Sequence, residues 1–334
     1  MATYKGIKGF NIQTVSSDPP APFIGEVWYN STSATVKYRQ GAIAASWATG
    51  GNLSTAKKGL AGAGIQTAGL AFGGNAPPPV TTSTEEYNGT AWTGGGNLTT
   101  ARSYLAGAGT QTAGLAFGGY VGNPTRTNAT EEYGGSSWTN GGNLTTARNG
   151  LGGAGTQTAG LAFGGVLAPG GGTNVTNATE EYDGSSWTNG GNLSAPLYSL
   201  AGCGTQTAGL AIGGYSPTAS PANSGTTEEY NGSSWTSGGA LGTARYDFAG
   251  CGIQTLALAF GGVPPPSGGT AATEKYDGTS WTATTNLNTS RKELAGAGLQ
   301  TAGLAFGGGT SPLTAETEEF SDGVPAATKT VGTD

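Results

Sequence analysis

Histidine is absent from this chain of 334 residues, and the chain has only two cysteines, one methionine and 10% charged residues. Without histidine, the usual general base near neutral pH and the commonest copper ligand are both missing. No stretch approaches the roughly 18 consecutive apolar residues of a membrane span, and residues 1–10 lack the apolar core of a secretory signal. The formal charge of -6 is dispersed and excludes the basic surface of a nucleic-acid-binding protein. We expect no cofactor, metal or catalytic site, no membrane insertion, and synthesis in a cytoplasm.

Glycine, by contrast, is abundant, with 64 residues and no collagen period. One pattern occurs six times: a tryptophan, a turn rich in Gly and Asn, a basic residue, an Ala/Gly segment and a closing Gly-Gly. Its tryptophans are Trp47, Trp92, Trp138, Trp187, Trp235 and Trp281, and its last glycines are Gly74, Gly119, Gly165, Gly214, Gly262 and Gly308. Both series advance by 45, 46, 49, 48 and 46 residues. Equal steps in two markers indicate that whole supersecondary units were duplicated.

Each repeat is predicted to contain four short strands. In the third copy they are residues 151–157, 158–165, 179–182 and 185–188, where apolar residues alternate or aromatic residues are enriched. Dipeptides that favour tight hairpin turns separate the third and fourth strands, as at Asp183-Gly184. Four antiparallel strands in about 46 residues is the arithmetic of a propeller blade.

The repeat resembles the kelch motif over residues 47–320. Gly164-Gly165 ends the second strand, Tyr182 lies on the third and Trp187 on the fourth, as in kelch repeats. The arginine that often follows the kelch tryptophan is present as Arg102, Arg148, Arg245 and Arg291, with Lys57 and Leu197 as departures. The resemblance implies an all-β fold, a six-bladed kelch-type β-propeller with four antiparallel strands per blade.

The two ends of the repeat region are complementary fragments. The first copy begins at its tryptophan strand, and the last ends at 317–320 without a tryptophan. Pairing of these N- and C-terminal segments would close the ring as a shared sixth blade and leave no open edge there. The alternative is a seventh, partial blade from residues 26–30 and 35–39, which lack the Gly-Gly. We therefore predict a leader with a β-hairpin at 1–45, a propeller at 46–323 and a tail at 324–334.

One face of the predicted disc varies between repeats. The links between strands one and two and between three and four are nearly constant, whereas the other two links differ in length and sequence, as at 120–130, 166–179 and 215–227. Variation of this kind maps to one side of a repeat protein, often the binding side. We call it the variable face. Its binding candidates, chosen because Tyr and Arg are common anchors, are Arg102, Tyr104, Tyr120, Arg126, Arg148, Tyr198, Tyr215, Arg245, Tyr246 and Arg291.

Other side chains on this face remain open to more than one interpretation. The repeated arginines have an alternative role, which is to fix adjacent blades by hydrogen-bonding loop carbonyls. Lys58, Asn149, Asp247 and Glu293 also diverge at the links that follow the basic residue, and a proline tract at 77–79 would join this surface.

Two further residue patterns are interpreted as structural. Glu-Glu pairs such as Glu180-Glu181 recur on the third strand, but neighbouring residues of a strand point to opposite faces and cannot act on one bond. Cys203 and Cys251 stand where the other copies have alanine. They are interpreted as small buried residues, with a disulfide between adjacent repeats as the alternative.

The leader supplies the clue to biological context. Residues 24–41 include the sequence Gly-Glu-Val-Trp-Tyr-Asn-Ser-Thr, which resembles a Gly-x-x-Trp-Tyr-Asn-Ser/Thr hairpin of phage tail-fibre and virion structural proteins. The resemblance implies a non-enzymatic virion protein whose leader docks on the particle and whose variable face binds a host surface glycan or receptor, or another virion subunit. Multivalent adhesins gain avidity, which favours a homo-oligomer. The alternatives are an intracellular kelch scaffold that binds a protein or peptide, and a glycan-active hydrolase.

Overall fold

The computed structural model describes residues 12–76, 79–122, 124–167, 174–309, 312–324 and 326–331, and all regular structure in these ranges is β. In chain order the strands are β1 (Gln13–Val15), β2 (Val27–Asn30), β3 (Thr35–Gln40), β4 (Ser46–Thr49), β5 (Ala61–Ile65), β6 (Ala68–Phe72), β7 (Thr84–Tyr87), β8 (Trp92–Gly94), β9 (Ala106–Gly109), β10 (Gly114–Phe117), β11 (Tyr120–Gly122), β12 (Thr125–Arg126), β13 (Thr130–Tyr133), β14 (Trp138–Asn140), β15 (Arg148–Asn149), β16 (Gly152–Thr156), β17 (Ala159–Phe163), β18 (Val166–Leu167), β19 (Thr179–Tyr182), β20 (Trp187–Asn189), β21 (Ala201–Thr205), β22 (Ala208–Tyr215), β23 (Asn223–Tyr230), β24 (Trp235–Ser237), β25 (Ala249–Ile253), β26 (Leu256–Phe260), β27 (Thr273–Tyr276), β28 (Trp281–Ala283), β29 (Ala295–Leu299), β30 (Ala302–Phe306), β31 (Thr317–Ser321) and β32 (Ala327–Thr330).

The chain divides into two compact units, residues 46–321 and residues 1–45 with 322–334. In the described part of the larger unit, the four-stranded antiparallel sheets are sheet 1 (β5-β6-β7-β8), sheet 2 (β9-β10-β13-β14), sheet 3 (β16-β17-β19-β20), sheet 4 (β21-β22-β23-β24), sheet 5 (β25-β26-β27-β28) and sheet 6 (β29-β30-β31-β4). Two small hairpins, β11-β12 and β15-β18, accompany sheets 2 and 3. This architecture is β-propeller-like.

The innermost strands are built from Ala and Gly because the strands of neighbouring sheets come close together. A β-carbon at Gly62 would stand 2.6 Å from the carbonyl oxygen of Gly296, below any normal contact distance. A β-carbon at Gly107 would stand 2.6 Å from Cζ of Phe72 in the preceding sheet. The repeated Ala-Gly-Ala-Gly sequence is therefore a packing requirement.

The outer strands bring aromatic side chains into the space between sheets. Tyr87 and Trp92 are cross-strand partners in sheet 1, and their rings lie 4.9 Å apart. The ring of Trp138 in sheet 2 reaches back to Phe72 in sheet 1, also at 4.9 Å. Each interface between sheets therefore contains its own apolar core.

Sheet 6 combines distant parts of the chain. β31 pairs with β4 in antiparallel register, so that Phe320 faces Trp47 and Ser321 faces Ser46. This is the pairing of terminal segments that the sequence predicts. Segments 26–30 and 35–39, proposed above as an alternative seventh blade, instead contribute β2 and β3 to the smaller unit.

Repeated hydrogen bonds join each sheet to the preceding one. Gln111 of sheet 2 donates to the carbonyls of Gly69 and Tyr87, at 3.0 and 2.7 Å. The indole of Trp138 donates to the Thr84 hydroxyl at 2.9 Å. The equivalent glutamine and tryptophan of sheet 1, Gln66 and Trp92, donate to Gly303, Phe320 and Thr317 of sheet 6. Because the acceptors are backbone carbonyls and the hydroxyl of a short threonine side chain, these bonds fix the spacing of the sheets.

The smaller unit contains one sheet, with the strand order β1-β2-β3-β32. β2 and β3 form an antiparallel hairpin over a fully buried Trp28. The carboxylate of Asp18 accepts hydrogen bonds from Lys37, Asn30 and the Trp28 indole, in that order of effect, and they lower its pKa to about 2. The sequence predicts a tail at 324–334, and within that range Ala327–Thr330 forms a strand beside β3.

The two cysteines are free and buried. Burial raises the pKa of Cys203 to about 12 and raises that of Cys251 as well. They take the place of the inner-strand alanines of other repeats, as small apolar side chains do.

Candidate functional site

Six equivalent backbone positions meet at the centre of the variable face. In each repeat the residue two positions before the first strand donates its N–H to the carbonyl of the same residue in the preceding repeat. The bonds run Tyr104 to Gly59, Gly150 to Tyr104, Ser199 to Gly150, Asp247 to Ser199, Glu293 to Asp247 and Gly59 to Glu293, with lengths between 2.6 and 3.0 Å. We call this cycle of residues the central ring.

Every residue of the central ring has a positive φ. Gly59 and Gly150 have φ values of 59° and 62°, a conformation that glycine adopts at little cost. Tyr104, Ser199, Asp247 and Glu293 hold the same backbone at 50° to 56°. A side chain in this conformation costs about 1 kcal/mol or more. The scaffold therefore accepts glycine here, and four repeats nevertheless place a polar side chain.

Two of these side chains meet directly. The phenol of Tyr104 donates to Oε2 of Glu293 at 2.6 Å, and Nζ of Lys58 lies 2.8 Å from the same oxygen. Nζ of Lys292 is 4.0 Å from Oε1. Burial and, after it, the bond to Glu293 raise the pKa of Tyr104. The Glu293 carboxylate is consequently held in place by three groups, and its side chain is 9% exposed.

Asp247 has a different environment. Burial raises the pKa of its carboxyl to about 6; a hydrogen bond from Ser199 lowers the pKa, and the nearby charge of Glu293 raises it further. The side chain therefore changes its ionisation state in mildly acidic solution. It provides a hydrogen-bond donor when protonated and an acceptor when ionised.

An apolar floor underlies the central ring. It consists of Leu60, Leu105, Leu151, Leu200, Phe248 and Leu294. The depression above it has a volume of about 90 Å³, smaller than the several hundred Å³ of an ordinary small-molecule pocket. Only the tip of a ligand would enter, and the rest would contact the surrounding face.

Three tyrosines form a cluster on that surrounding face. The ring of Tyr215 packs edge-on against Tyr198 and Tyr246, with centroid distances of 5.4 and 5.1 Å. Burial is the main cause of the raised pKa values of Tyr198 and Tyr246, and the charge of Asp247 contributes to both. All three side chains are half-buried, so they offer ring edges and hydroxyls together. We call them the tyrosine cluster.

Four of the binding candidates predicted from the sequence lie in the interior instead of on the variable face. Arg102, Arg148, Arg245 and Arg291 are at most 1% exposed. Each guanidinium pairs with the first glutamate of its own sheet and donates to backbone carbonyls. Arg102, for example, is 3.0 Å from Glu131 Oε1 and 2.7 Å from the carbonyl of Ala129. These arginines cannot touch a partner, and we remove them from the candidate surface.

Each buried arginine is compensated by the glutamate with which it pairs. The basic residue leaves the preceding sheet and turns inward, where burial lowers the pKa of Arg102 to about 10 while the charge of Glu131 opposes that shift. The bonds run within a sheet, so the arginines stabilise the entry of the chain into each sheet. The alternative role predicted for these arginines is to hydrogen-bond loop carbonyls and so fix adjacent blades. They do bond to carbonyls, but to those of their own sheet and not of an adjacent one.

The remaining six predicted residues are divided between the central ring, the tyrosine cluster and the β11-β12 hairpin. Tyr104 is part of the central ring. Tyr120 is half-buried on β11, and Nε of Arg126 donates to Asn149 at 2.7 Å. In the loops, residues 77–78 of the proline tract and 168–173 of the segment 166–179 lie outside the described residues.

The Glu-Glu pairs have divided structural roles. The first glutamate binds the basic residue of its own sheet, except in sheet 4, where Leu197 stands at the basic position and Glu228 accepts hydrogen bonds from Ser194. The second glutamate accepts a hydrogen bond from the tyrosine of the next sheet, as Glu86 does from Tyr133. Sheet 5 and sheet 6 depart from this rule together, because Lys275 replaces the second glutamate and Phe320 replaces the tyrosine.

Asp247 and Glu293 diverge between repeats in the sequence but are not among the predicted binding residues, and neither is Ser199. The overlooked signal was their alignment with Gly59 and Gly150, since a position that accepts glycine in two repeats is a candidate for positive φ. In the described ranges no group of three or more Cys, Asp or Glu side chains is placed to hold a metal ion.

No helix long and apolar enough to cross a bilayer occurs in the part of the chain that the structure describes. Neither a protein-family model nor a curated protein matches the sequence.

Proposed function

We propose that the larger unit is a closed, six-bladed β-propeller of the kelch type. The cycle of backbone hydrogen bonds through the central ring supports closure, and so does the pairing of Phe320 with Trp47. In a propeller, radial repetition of the sheets leaves only short, protected sheet edges.

We further propose that this unit is a non-enzymatic binding module that recognises a glycan on its variable face. The observation that supports it most strongly is the set of four side chains held at positive φ in the central ring, where glycine would be less strained. Strain maintained at one surface depression is typical of functional sites. The hydroxyls and carboxylates of the central ring suit sugar hydroxyls, and the tyrosine cluster beside them suits the apolar faces of sugar rings.

The biological setting is proposed from the leader. Its resemblance to a hairpin of phage structural proteins favours a virion protein of the tail-fibre or adhesin class, which would attach to other virion subunits through residues 1–45 and meet a host surface glycan through the propeller. A shallow site of this size binds weakly, so a homo-oligomer would gain by avidity.

Glycan binding can be tested with variants that preserve the backbone. Tyr104→Gly and Asp247→Gly insert the residue that two other repeats already have. We expect both proteins to fold and to lose at least about tenfold in affinity for host surface polysaccharide, measured by biolayer interferometry. Thr93→Ala is the control, because Thr93 lies exposed on an outer strand and the variant should bind normally. Gln66→Glu is unsuitable as a control because Gln66 joins two sheets. Unchanged affinity in both glycine variants would refute the site.

A glycan hydrolase is the second candidate, and one observation favours it. Burial raises the pKa of Asp247 to about 6 and the charge of Glu293 raises it further, and a pair of carboxyl groups with different roles is what glycoside hydrolysis uses. Release of new reducing ends from the bound polysaccharide, abolished in Asp247→Asn, would establish this activity. Binding without release in the native protein would exclude it for that glycan.

A further inference from the structure

The residues that immediately precede the central ring form a second circle on the variable face. One comes from each of sheets 1 to 6, and in that order they are Lys58, Ser103, Asn149, Tyr198, Tyr246 and Lys292. Sheets 4, 5, 6 and 1 follow one another in the cycle of backbone hydrogen bonds, so the two tyrosines and the two lysines occupy four consecutive positions. The second circle therefore has an aromatic sector beside a cationic sector.

Glu293 holds the cationic sector beside the central depression, which it lines. Its carboxylate lies 2.8 Å from Nζ of Lys58 and 4.0 Å from Nζ of Lys292, and it also accepts the phenol of Tyr104. The side chain of Glu293 is 9% exposed, whereas those of Lys58 and Lys292 are 31% and 32% exposed. A ligand would therefore meet the ammonium groups more than the carboxylate. Glu293 is a positioning residue for the two lysines, a role that glycine at this strained backbone position could not fill.

Both ammonium groups have donors left for a ligand. A lysine side chain has three N–H donors and no acceptor. Lys58 uses one of them on Glu293, and the 4.0 Å between Lys292 and the same carboxylate is too long for a hydrogen bond. Neither ammonium group makes a further hydrogen bond to any residue that the structure describes. Adjacent cationic donors of this kind suit an anionic oxygen.

We propose that the glycan recognised by the variable face is acidic, and that an anionic substituent of a sugar ring binds Lys58 and Lys292 while the saccharide packs against Tyr198 and Tyr246. A carboxylate and a phosphate would supply the same anionic oxygens. The inference rests on the glycan binding proposed above. Because the whole chain has a formal charge of -6, long-range attraction does not favour an acidic ligand, and its recognition depends on these local contacts.

The test uses the full chain and glycosides that differ in one substituent. Methyl β-D-glucuronide, methyl β-D-glucoside 6-phosphate and methyl β-D-glucoside share a pyranose ring and differ in having a carboxylate, a phosphate or a neutral hydroxyl. The corresponding galactosides provide a second set. In a ligand-detected NMR titration, at least one acidic glycoside should bind about fivefold more tightly than its neutral partner. The tighter of the two acidic glycosides distinguishes a carboxylate from a phosphate.

Two variants with the same change of charge locate the site. Lys292→Gln removes an ammonium group that makes no hydrogen bond to a described residue, so the protein should fold. Lys329→Gln removes the same charge from an exposed position on β32 of the smaller unit. We expect Lys292→Gln to weaken binding of the acidic glycoside at least about threefold and to leave the neutral one unchanged, whereas Lys329→Gln should bind both normally.

Asp247 predicts how this binding depends on pH. Burial raises the pKa of its carboxyl to about 6, the hydrogen bond from Ser199 and the charges of Lys292 and Lys58 lower it, and the charge of Glu293 raises it. The three tyrosines that Asp247 influences have raised pKa values and stay neutral. From pH 7 to pH 5 Asp247 loses a charge that repels an acidic ligand, so the glucuronide should bind about threefold more tightly. Asp247→Asn should bind it equally at both pH values.

The possible failures of the two proposals differ. Equal affinity for acidic and neutral glycosides would overturn the acidic assignment and leave glycan binding intact. Binding of none of the glycosides would contradict both proposals. Equal losses in Lys292→Gln and Lys329→Gln would mean that net charge alone is responsible, and an affinity for the glucuronide that does not change with pH would place its carboxylate away from Asp247. Either result would overturn the assignment of the site.

Discussion

The phenol of Tyr133 donates a hydrogen bond to Glu86 in the neighbouring sheet, with 2.5 Å between the two oxygens. The same tyrosine hydroxyl accepts the N–H of Gly96 at 3.3 Å. The hydroxyl of Tyr133 thus connects the third strand of sheet 2 to the third strand of sheet 1 and to the segment that follows β8.

Removing this hydroxyl should destabilise the protein. Tyr133→Phe leaves a carboxylate oxygen and an N–H without their partner, at a cost of about 2 kcal/mol. Urea unfolding measures the loss. Tyr29→Phe in the smaller unit is the control, since its hydroxyl makes no hydrogen bond to any described residue, and it should leave stability within about 0.5 kcal/mol. An equal loss in both variants would mean that the bond to Glu86 contributes nothing.

Alkaline solution should destabilise the folded protein at pH values where the buried tyrosines are still protonated but those of the unfolded chain ionise. The pKa of the tyrosine in each of five sheets rises from 10.0 to about 12, first by burial and second by the bond to a glutamate; the residues are Tyr87, Tyr133, Tyr182, Tyr230 and Tyr276. The folded pKa lies above the unfolded one, so this stability is complete below pH 10 and disappears as the pH rises towards 12. Urea midpoints at successive pH values should fall across that window, and more shallowly in Tyr133→Phe. A constant midpoint between pH 10 and 12 would contradict the argument.

The central ring should become more stable when its side chains are removed. Asp247→Gly relieves a positive φ and removes a buried carboxyl, so we expect a gain of about 1 kcal/mol in the free energy of unfolding. Gly59→Ala provides the reverse comparison and should lose about the same amount. Differential scanning calorimetry at pH 7 measures both, and a destabilised Asp247→Gly would refute the interpretation of strain.

Asp247 also predicts a dependence on acid. Its pKa rises from 3.8 to about 6 on folding, so the protonated form is the one that the folded state prefers. Its contribution to stability is complete below pH 4 and is lost as the pH rises to 6. Asp247→Asn should remove this part of the pH profile, whereas Asp322→Asn in the other unit should retain it. A profile that is identical in native protein and Asp247→Asn would show that another group titrates.

Arg148→Leu reproduces in sheet 3 what sheet 4 has naturally. It leaves Glu180 buried without a cation and should cost about 3–5 kcal/mol, because Thr145 supplies only its N–H and not a hydroxyl. Adding Glu180→Gln should recover most of the loss, since a neutral amide is cheaper to bury. Thermal unfolding of the single and double variants tests this. No recovery in the double variant would mean that the lost contacts are those to the carbonyls of Gly164 and Ala178.

The repeat made much of the architecture predictable. The Ala/Gly inner strand, the Tyr and Trp of the outer strands and the pairing of residue 320 with residue 47 all follow from local pattern and from complementary ends. The direction of an arginine side chain does not, because the same Arg beside a turn can face solvent or fold inward to a glutamate about 30 positions later. Arg102 faces inward because Glu131 is buried there.

The central ring was harder to predict for a related reason. Tyr104 and Glu293 touch although three repeats lie between them in the sequence. Neither residue has a local motif, and the raised pKa of Asp247 depends on burial that no short segment determines. Strand Ala327–Thr330 was missed because its alternation of Thr with Lys gives little apolar signal.

The pairing of β4 with β31 also bears on the order of assembly. Every other sheet of the larger unit is made from neighbouring stretches of chain, whereas Trp47 and Phe320 are separated by nearly its entire length. Loop-closure entropy grows with that separation, so sheets 1 to 5 can form before this contact repays its cost. Sheet 6 is then the last to be completed, and during synthesis β4 must wait unpaired until the ribosome has released the final repeat.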